Sequence, residues 1–137
     1  MVDQKEVHRK ARSDKVEDRI DAVGQLRASF ADLPDKSVAW SDLHRLTNDE
    51  DSSMRRRAVE ALGAAFPHVP DKTAAWSDLH RLTCDEDRYV RLGAAYALGA
   101  AFPHVSDKTA AWEDLYRLTN DKDRIVRQGA ADVLGAA

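Results

Sequence analysis

The sequence has little cysteine, proline or glycine, and it has no long apolar run. Its single cysteine, Cys84, cannot form a disulfide within the chain, so a reducing compartment such as the cytoplasm is expected. Four prolines and six glycines among 137 residues are too few for a disordered or low-complexity chain. No stretch approaches the ~18 apolar residues of a membrane-spanning helix, so no membrane partner is expected. The basic N-terminus is not followed by the apolar segment of a secretory signal.

The sequence also lacks an excess of positive charge. It contains 21 Lys and Arg residues against 24 Asp and Glu residues, which gives a formal net charge of −3. A general nucleic-acid-binding protein needs concentrated positive potential to displace counterions from phosphates. The one arginine triplet, residues 55–57, has acidic residues nearby. A nucleic-acid partner is therefore not expected, whereas 43% apolar and 33% charged residues are typical of a helix-rich protein.

A fixed internal repeat organises the chain. Trp40, Trp76 and Trp112 are each separated by 36 residues. Self-similarity at a period of about 20–50 residues is the signature of a solenoid, in which each unit buries its apolar face against its neighbours. The sequence thus predicts one domain over residues 1–137, with a divergent first unit and a shortened last unit. The four units are residues 1–36, 37–72, 73–108 and 109–137.

The apolar spacing predicts two helices in each unit. Trp76, Leu79 and Leu82 form one apolar stripe on a first helix, which either Asp71 or Thr73 can cap. An acidic turn follows, and then an Ala- and Leu-rich second helix. Proline, which lacks an N–H and clashes with the preceding turn, is expected to end that second helix in the middle units. The predicted fold class is all-α, an α-solenoid of four helical hairpins.

The acidic turn and the second helix resemble HEAT repeats, in particular the HEAT-like arrays of archaeal and bacterial proteins. The resemblance rests on an Asp, an aliphatic residue five positions later, an Arg directly after it and an Ala-x-x-Leu-Gly tail. It implies that the Asp and the Arg pair as a ladder between adjacent repeats. The first unit has Ser13 in place of the Asp, which puts its rung in question. Tetratricopeptide repeats have a period of about 34 residues and a different pattern. The ladder residues are Asp49, Arg55, Asp85, Arg91, Asp121 and Arg127.

The differences between the copies are concentrated in one stretch of the second helix. Units 37–72 and 73–108 differ at 11 positions, and 7 of these lie between residues 52 and 60. Positions 52, 56 and 60 share one helical face, away from the apolar stripe. The resemblance implies that the second helices line the concave side of the array. The predicted concave stripe consists of Ser52, Arg56, Glu60, Arg88, Tyr89, Leu92, Tyr96, Arg124, Gln128 and Asp132.

The concave stripe has an aromatic centre and polar ends, an arrangement typical of protein interfaces. We therefore expect a scaffold that binds another protein or a peptide on its concave face. Neutral drift of an exposed stripe after duplication is the competing explanation. A further alternative is an array segment that only positions other parts of a larger regulatory protein.

Catalysis and metal binding find little support in the sequence. His8, His44 and His80 occupy one repeat position, but packed helices lie about 8–10 Å apart, too far for such histidines to share a zinc ion at ~2.0–2.1 Å. A HEAT-like enzyme, either a lyase or an enzyme acting on nucleic acid, is the remaining alternative. No His-Glu dipeptide of the di-iron relatives occurs, and Cys84 aligns with turn asparagines. We expect neither an enzyme nor a cofactor.

The two ends of the array differ in polarity. In the first unit Gln4 replaces Trp and Lys10 replaces Leu, so its outer helix is expected to face water as a cap. The last unit carries no such polar substitutions. Because solenoids need polar terminal units for solubility, the sequence predicts either a longer array or self-association through the C-terminal repeat. The tryptophans, which recur on the apolar stripe, are expected to pack in the core.

Overall fold

The computed structural model describes residues 2–136, and these residues form eight α-helices and three short 3-10 turns without any strand. Consecutive helices pack as four helical hairpins, which stack side by side. The predicted all-α solenoid is therefore confirmed. The helices are α1 (Gln4–Ala11), α2 (Val16–Ser29), α3 (Lys36–Thr47), α4 (Ser52–Ala65), α5 (Lys72–Leu82), α6 (Arg88–Ala101), α7 (Lys108–Leu118) and α8 (Arg124–Ala136).

Aspartate side chains start most of the helices. Of the two candidates at the start of α5, Asp71 makes the capping bond, because its carboxylate accepts the backbone N–H of Ala74 at 3.0 Å. The first hairpin departs from this pattern, since Lys15 precedes α2 and provides no side-chain cap. The equivalent caps elsewhere are Asp3, Asp35, Asp51, Asp87, Asp107 and Asp123.

Proline is only part of the reason why the second helices end where they do. Pro67 lies inside the 3-10 turn Phe66–His68 that follows α4, as the sequence suggested. The first hairpin forms the same turn, Phe30–Asp32, with Ala31 at the proline position. What the two turns share is a phenylalanine that is almost completely buried. The third turn, Phe102–His104, forms with a ring that is only half-buried, so packing of the phenylalanine accompanies the turn, and proline makes continuation of the helix unfavourable.

The polar residues of the first unit do not form a simple water-facing cap. Gln4 is half-buried and faces the second hairpin, where its Oε1 accepts the backbone N–H of Asp35 at 2.9 Å and its Nε2 donates to the carbonyl of the same residue. Lys10, at the position of a core leucine, donates to Asp21 Oδ2 at 2.5 Å across the first hairpin. Both substitutions replace apolar packing by polar contacts inside the array.

The tryptophans do not all pack in the core. Trp40 and Trp76 are half-buried against it, but Trp112 is 44% exposed, so the expectation of core packing is wrong for the last copy. Trp112 lies in the fourth hairpin, on which no further hairpin packs. The apolar stripe of a first helix is thus completed by the hairpin that follows it.

The second helices approach one another more closely than the first helices do, and this difference curves the array. Contacts of α4 with α2 and α6 are far more extensive than those between neighbouring first helices. Glycines permit the close approach, since a Cβ added at Gly63 would lie 3.0 Å from the Cα of Ala97. Because the more closely packed layer of a curved stack lies on its inner side, we expect the second helices to line the concave side.

Two glycine substitutions test this account of the inner packing. We expect Gly63→Ala to destabilise the protein by about 1–3 kcal/mol, because its Cβ would press on the backbone of α6. Gly24→Ala should instead stabilise by about 0.5–1 kcal/mol, because nothing lies within 4 Å of its added Cβ and alanine favours the helix. Urea unfolding of both variants beside the parent measures the difference, and equal effects at the two positions would contradict the packing argument.

Candidate binding surface

The structure places the sequence-predicted stripe on three adjacent inner helices, α4, α6 and α8. Tyr96 is 52% exposed and Tyr89 is 39% exposed, and both lie on the central helix of the three. Three members of the stripe, Ser52, Glu60 and Leu92, are half-buried. The exposed charged and polar members are Arg56, Arg88, Arg124, Gln128 and Asp132.

Part of the variation between copies lies in the core rather than on the surface. Val59 and its counterpart Ala95 are both fully buried. A Cβ added at Gly93 would meet the Cγ1 of Val59 at 2.8 Å, whereas the counterpart of that glycine, Arg57, is exposed. The small residue at position 93 leaves room for Val59 of the preceding hairpin, so this difference between the copies belongs to the packing. Neutral drift of exposed residues therefore does not account for all the differences between residues 52–60 and their counterparts.

Leu92 has a packing role within the stripe. Its Cδ1 fills the space next to Gly129, into which a Cβ on that glycine would project. The ring of Tyr96 lies beside the same glycine, with its hydroxyl oxygen 3.6 Å from the position of such a Cβ. Leu92 thus belongs mainly to the contact between α6 and α8, whereas about half of Tyr96 remains free to contact another molecule. Replacement of Leu92 by Arg would disturb the array as well as the surface.

Tyr89 is held between two arginines. The guanidinium carbon of Arg88 lies 5.0 Å from the centre of its ring and that of Arg56 lies 5.7 Å from it. Arg88 also donates to Asp123 Oδ2 at 3.3 Å. Its hydrogen bonds with the Tyr89 hydroxyl and Asp123 raise the pKa of Arg88 above its ordinary value. This part of the surface therefore combines an exposed aromatic ring with fixed positive charge.

Arginine–aspartate pairs connect successive hairpins beside this surface. Arg55 donates to Asp85 from Nε at 2.9 Å and from Nη2 at 3.1 Å. Arg91 makes the same two bonds with Asp121, at 2.8 and 3.0 Å. Each arginine also donates to backbone carbonyls of its own turn. Such two-point bonds fix the register between neighbouring hairpins.

The direction of the pairing explains why the first unit tolerates Ser13. Each arginine pairs with the aspartate of the following hairpin, so Arg19 of the first hairpin donates to Asp49 of the second at 2.9 Å. The question about that rung is answered, because an aspartate in the first turn would serve only a preceding hairpin. At the other end, Arg127 donates to the carbonyl of Asp121 at 2.7 Å and pairs with no carboxylate of residues 2–136.

Protonation shifts agree with this geometry. Hydrogen bonding to Asp85 raises the pKa of Arg55. Burial alone would raise the pKa of Asp121, but the bond from Arg91 and the backbone N–H of Asp123 outweigh it and lower the pKa below its ordinary value. Both shifts favour the charged form of the residue concerned, Arg55 in one pair and Asp121 in the next.

A second set of pairs connects the first helices, and the sequence analysis missed it. His44 Nδ1 lies 2.6 Å from Asp78 Oδ2, and His80 Nδ1 lies 2.7 Å from Asp114 Oδ2. His8 contacts Asp42 at 2.9 Å in the same way. The three aspartates are buried, and the histidines are half-exposed. The sequence did contain a signal for these pairs: an aspartate lies within the apolar stripe of the first helix, two positions before the histidine, as in Asp42 and His44.

Each of these histidines contacts an aspartate of the following hairpin. No group of three or more metal-ligating side chains is found within residues 2–136. The rings of Trp40 and Trp76 also lie against His44 and His80, at centroid distances of 5.6 and 5.9 Å. Cys84 is an exposed free thiol in a turn. In the described part of the chain, no helix is long and apolar enough to cross a membrane.

Comparison with known proteins agrees with the fold. A profile of HEAT repeats matches residues 41–135, so the chain belongs to the HEAT repeat family. A crystal structure of an engineered protein from the Northeast Structural Genomics Consortium is similar, with a TM-score of 0.71 and 25% sequence identity. The similarity covers 98% of this chain but 63% of the engineered protein, so the chain spans less than two thirds of that protein. No curated protein matches the sequence.

The arginine–aspartate ladder is tested by a matched pair of variants. Arg91→Ala should cost about 3 kcal/mol, because it leaves the carboxylate of Asp121 half-buried without its partner. Arg127→Ala should cost less than about 1 kcal/mol, because it removes no bond to another hairpin. Equilibrium denaturation compares the two. Similar losses would show that the carbonyl bonds within each turn, rather than the ladder, carry the stability.

Proposed function

We propose that this chain is a protein-interaction scaffold whose concave stripe binds another protein or a peptide. HEAT repeats generally act as such scaffolds. The observation that carries the proposal is Tyr96, a large aromatic residue left 52% exposed at the centre of the inner surface. Exposed aromatic residues within a polar rim are the usual anchors of protein interfaces.

The pattern of burial supports the same proposal. The residues that connect one hairpin to the next are nearly the same in every copy, whereas Tyr89 and Tyr96 replace Ser53 and Glu60 of the second unit. The packing tolerates either set at these positions, since all four side chains remain at least partly accessible. Surface residues that differ between units, while the packing residues stay the same, suit the recognition of a particular partner.

The family and the engineered neighbour point to a non-catalytic scaffold. We propose accordingly that the chain binds without catalysis and without a cofactor. A cytoplasmic location is part of the proposal, since an exposed free thiol such as Cys84 persists in a reducing compartment.

Substitution of the two inner tyrosines tests the proposal. In the double variant Tyr89→Ser and Tyr96→Glu, both residues change to the types that the second unit carries at these positions. We expect stability within about 0.5–1 kcal/mol of the parent, since both side chains are exposed. Binding should weaken by about 2 kcal/mol or more if the tyrosines are interface anchors. Affinity capture from a lysate of the native host, followed by measured affinity for the captured protein, gives the result.

A tyrosine on the outer layer supplies the matched control. Tyr116 is 62% exposed on α7, where the other units have histidine. Tyr116→His should retain full capture, because it lies away from the concave side. Undiminished capture by the double variant would exclude the concave stripe as the site. Loss of capture by the control would move the site to the outer helices.

A second candidate function is self-association through the fourth hairpin. Trp112 is exposed there, and Ala131 is exposed although its counterpart Ala95 is completely buried by the next hairpin. The opposite end of the array carries a surface ion pair, Glu6 with Arg9, and is polar. We therefore propose that the apolar face of one copy packs on the same face of a second copy, since a head-to-tail contact would oppose apolar and polar surfaces.

Sedimentation velocity over a range of concentrations tests the self-association. The parent should form dimers as its concentration rises, and Trp112→Gln, the residue type at this position of the first unit, should shift the midpoint by about tenfold or more. Gly24→Ala, which changes no residue of this face, serves as the control. A parent that remains monomeric throughout would refute the dimer.

A further inference from the structure

Four arginines and one glutamate lie on the adjacent helices α2, α4 and α6 of the concave side. Glu60 is the carboxylate at the centre: its Oε2 lies 3.4 Å from Arg27 Nη1 and its Oε1 lies 3.8 Å from Arg56 Nε. Both distances are long for charged hydrogen bonds, so one carboxylate is shared loosely between two guanidinium groups. We call Arg27, Arg56, Arg57 and Arg88 the arginine cluster.

The arginine cluster carries more positive charge than its neighbours neutralise. Arg57 is exposed and pairs with no carboxylate in the described part of the chain. Arg88 is paired with Asp123, but at 3.3 Å and with about half of its side chain exposed. The remaining arginines depend on Glu60 alone. A local excess of positive charge on a chain whose formal charge is −3 means that positive and negative charge are segregated.

The cluster also has room for an incoming group. A surface depression of about 220 Å³ is lined by Ser53, Arg56, Arg57 and Glu60. A carboxylate that enters this depression would lie beside Arg56 and Arg57, and it would compete with Glu60 for Arg56. The ring of Tyr89 forms the neighbouring surface, 5.7 Å from the guanidinium carbon of Arg56. An apolar residue next to the carboxylate would pack on that ring.

We propose that the partner of the concave stripe is an acidic segment of another protein, in which Glu or Asp residues alternate with aromatic or aliphatic ones. Its carboxylates would bind Arg56 and Arg57, and its apolar side chains would pack on Tyr89 and Tyr96. Charge complementarity favours this partner, because the excess positive charge lies on the inner surface of an otherwise acidic chain. This inference rests on the proposed function and adds the chemistry of the partner.

A nucleic acid suits the surface less well than an acidic protein segment does. Its continuous phosphate backbone would follow the groove from α4 to α8, where the stripe offers a single arginine, Arg124, and the carboxylate of Asp132. An acidic peptide can place a carboxylate at the arginine cluster and apolar or neutral residues at the rest of the stripe.

Fluorescence anisotropy with defined probes tests the inference. The first probe is a fluorescein-labelled peptide of repeated Glu-Phe-Glu-Glu-Leu units, and the second has Gln in place of each Glu. We expect the acidic peptide to bind at least about tenfold more tightly than the Gln peptide, and the difference to shrink as salt is raised. Equal affinity for the two peptides would overturn the inference.

Charge reversal at two exposed arginines gives the matched comparison. Arg57→Glu should weaken binding of the acidic peptide by about tenfold, and Arg57→Gln should weaken it by less. Arg45→Glu changes the charge equally at an exposed arginine of α3, outside the concave stripe, and should leave the affinity unchanged. Circular dichroism and melting temperature confirm that each variant is folded. Equal loss in both reversed variants would mean that net charge, rather than the cluster, attracts the peptide.

The outcomes also separate this inference from the proposed function. Tighter binding of a mixed-sequence single-stranded DNA than of the acidic peptide would replace the acidic partner by a nucleic acid. A captured protein whose binding depends on Tyr96 but is unaffected by Arg57→Glu would refute the acidic segment and leave the scaffold function intact. Loss of capture in the double variant Tyr89→Ser and Tyr96→Glu, and also in Arg57→Glu, supports both the scaffold function and the acidic partner.

Discussion

Close contact between neighbouring second helices is the constraint on which the rest of this structure depends. Gly63 against Ala97, and Gly129 beneath Leu92, let inner helices approach more closely than the first helices can. The unequal spacing of the two layers curves the array and gives it a concave side. It also determines which residues of a second helix are buried and which, such as Tyr96, remain on the inner surface.

Two sets of polar pairs hold the hairpins in register around that contact. Arg55 and its counterparts bond to the aspartate of the following hairpin on the inner layer, and His44 and its counterparts do so on the outer layer. Both run in one direction along the chain, from each hairpin to the next. The arginines and histidines of these two sets therefore depend on the following hairpin, as the apolar stripe does, which explains why Trp112 and Arg127 differ from their counterparts.

The sequence was sufficient for the fold because the 36-residue period, the helical spacing and the capping aspartates all indicate the same hairpin. It was less informative about side chains whose environment depends on a neighbouring unit. The half-buried state of Leu92 and the burial of Asp78 follow from residues 34–37 positions away, which no local pattern shows. The stretch 52–60, where the copies differ most, likewise includes both buried and exposed positions, which the sequence alone did not distinguish. Only a structure separates Val59, which packs on Gly93, from the exposed Tyr89.

The central claim is that the packing of the second helices exposes the concave stripe as a binding surface. Hydrogen–deuterium exchange of the backbone amides, measured for the chain alone and with its captured partner, tests this most directly. Our account predicts added protection along α4, α6 and α8, including the turn of α6 that carries Tyr96, and little change in α3, α5 and α7. Added protection confined to the outer helices, or to the turns around His68 and His104, would contradict it.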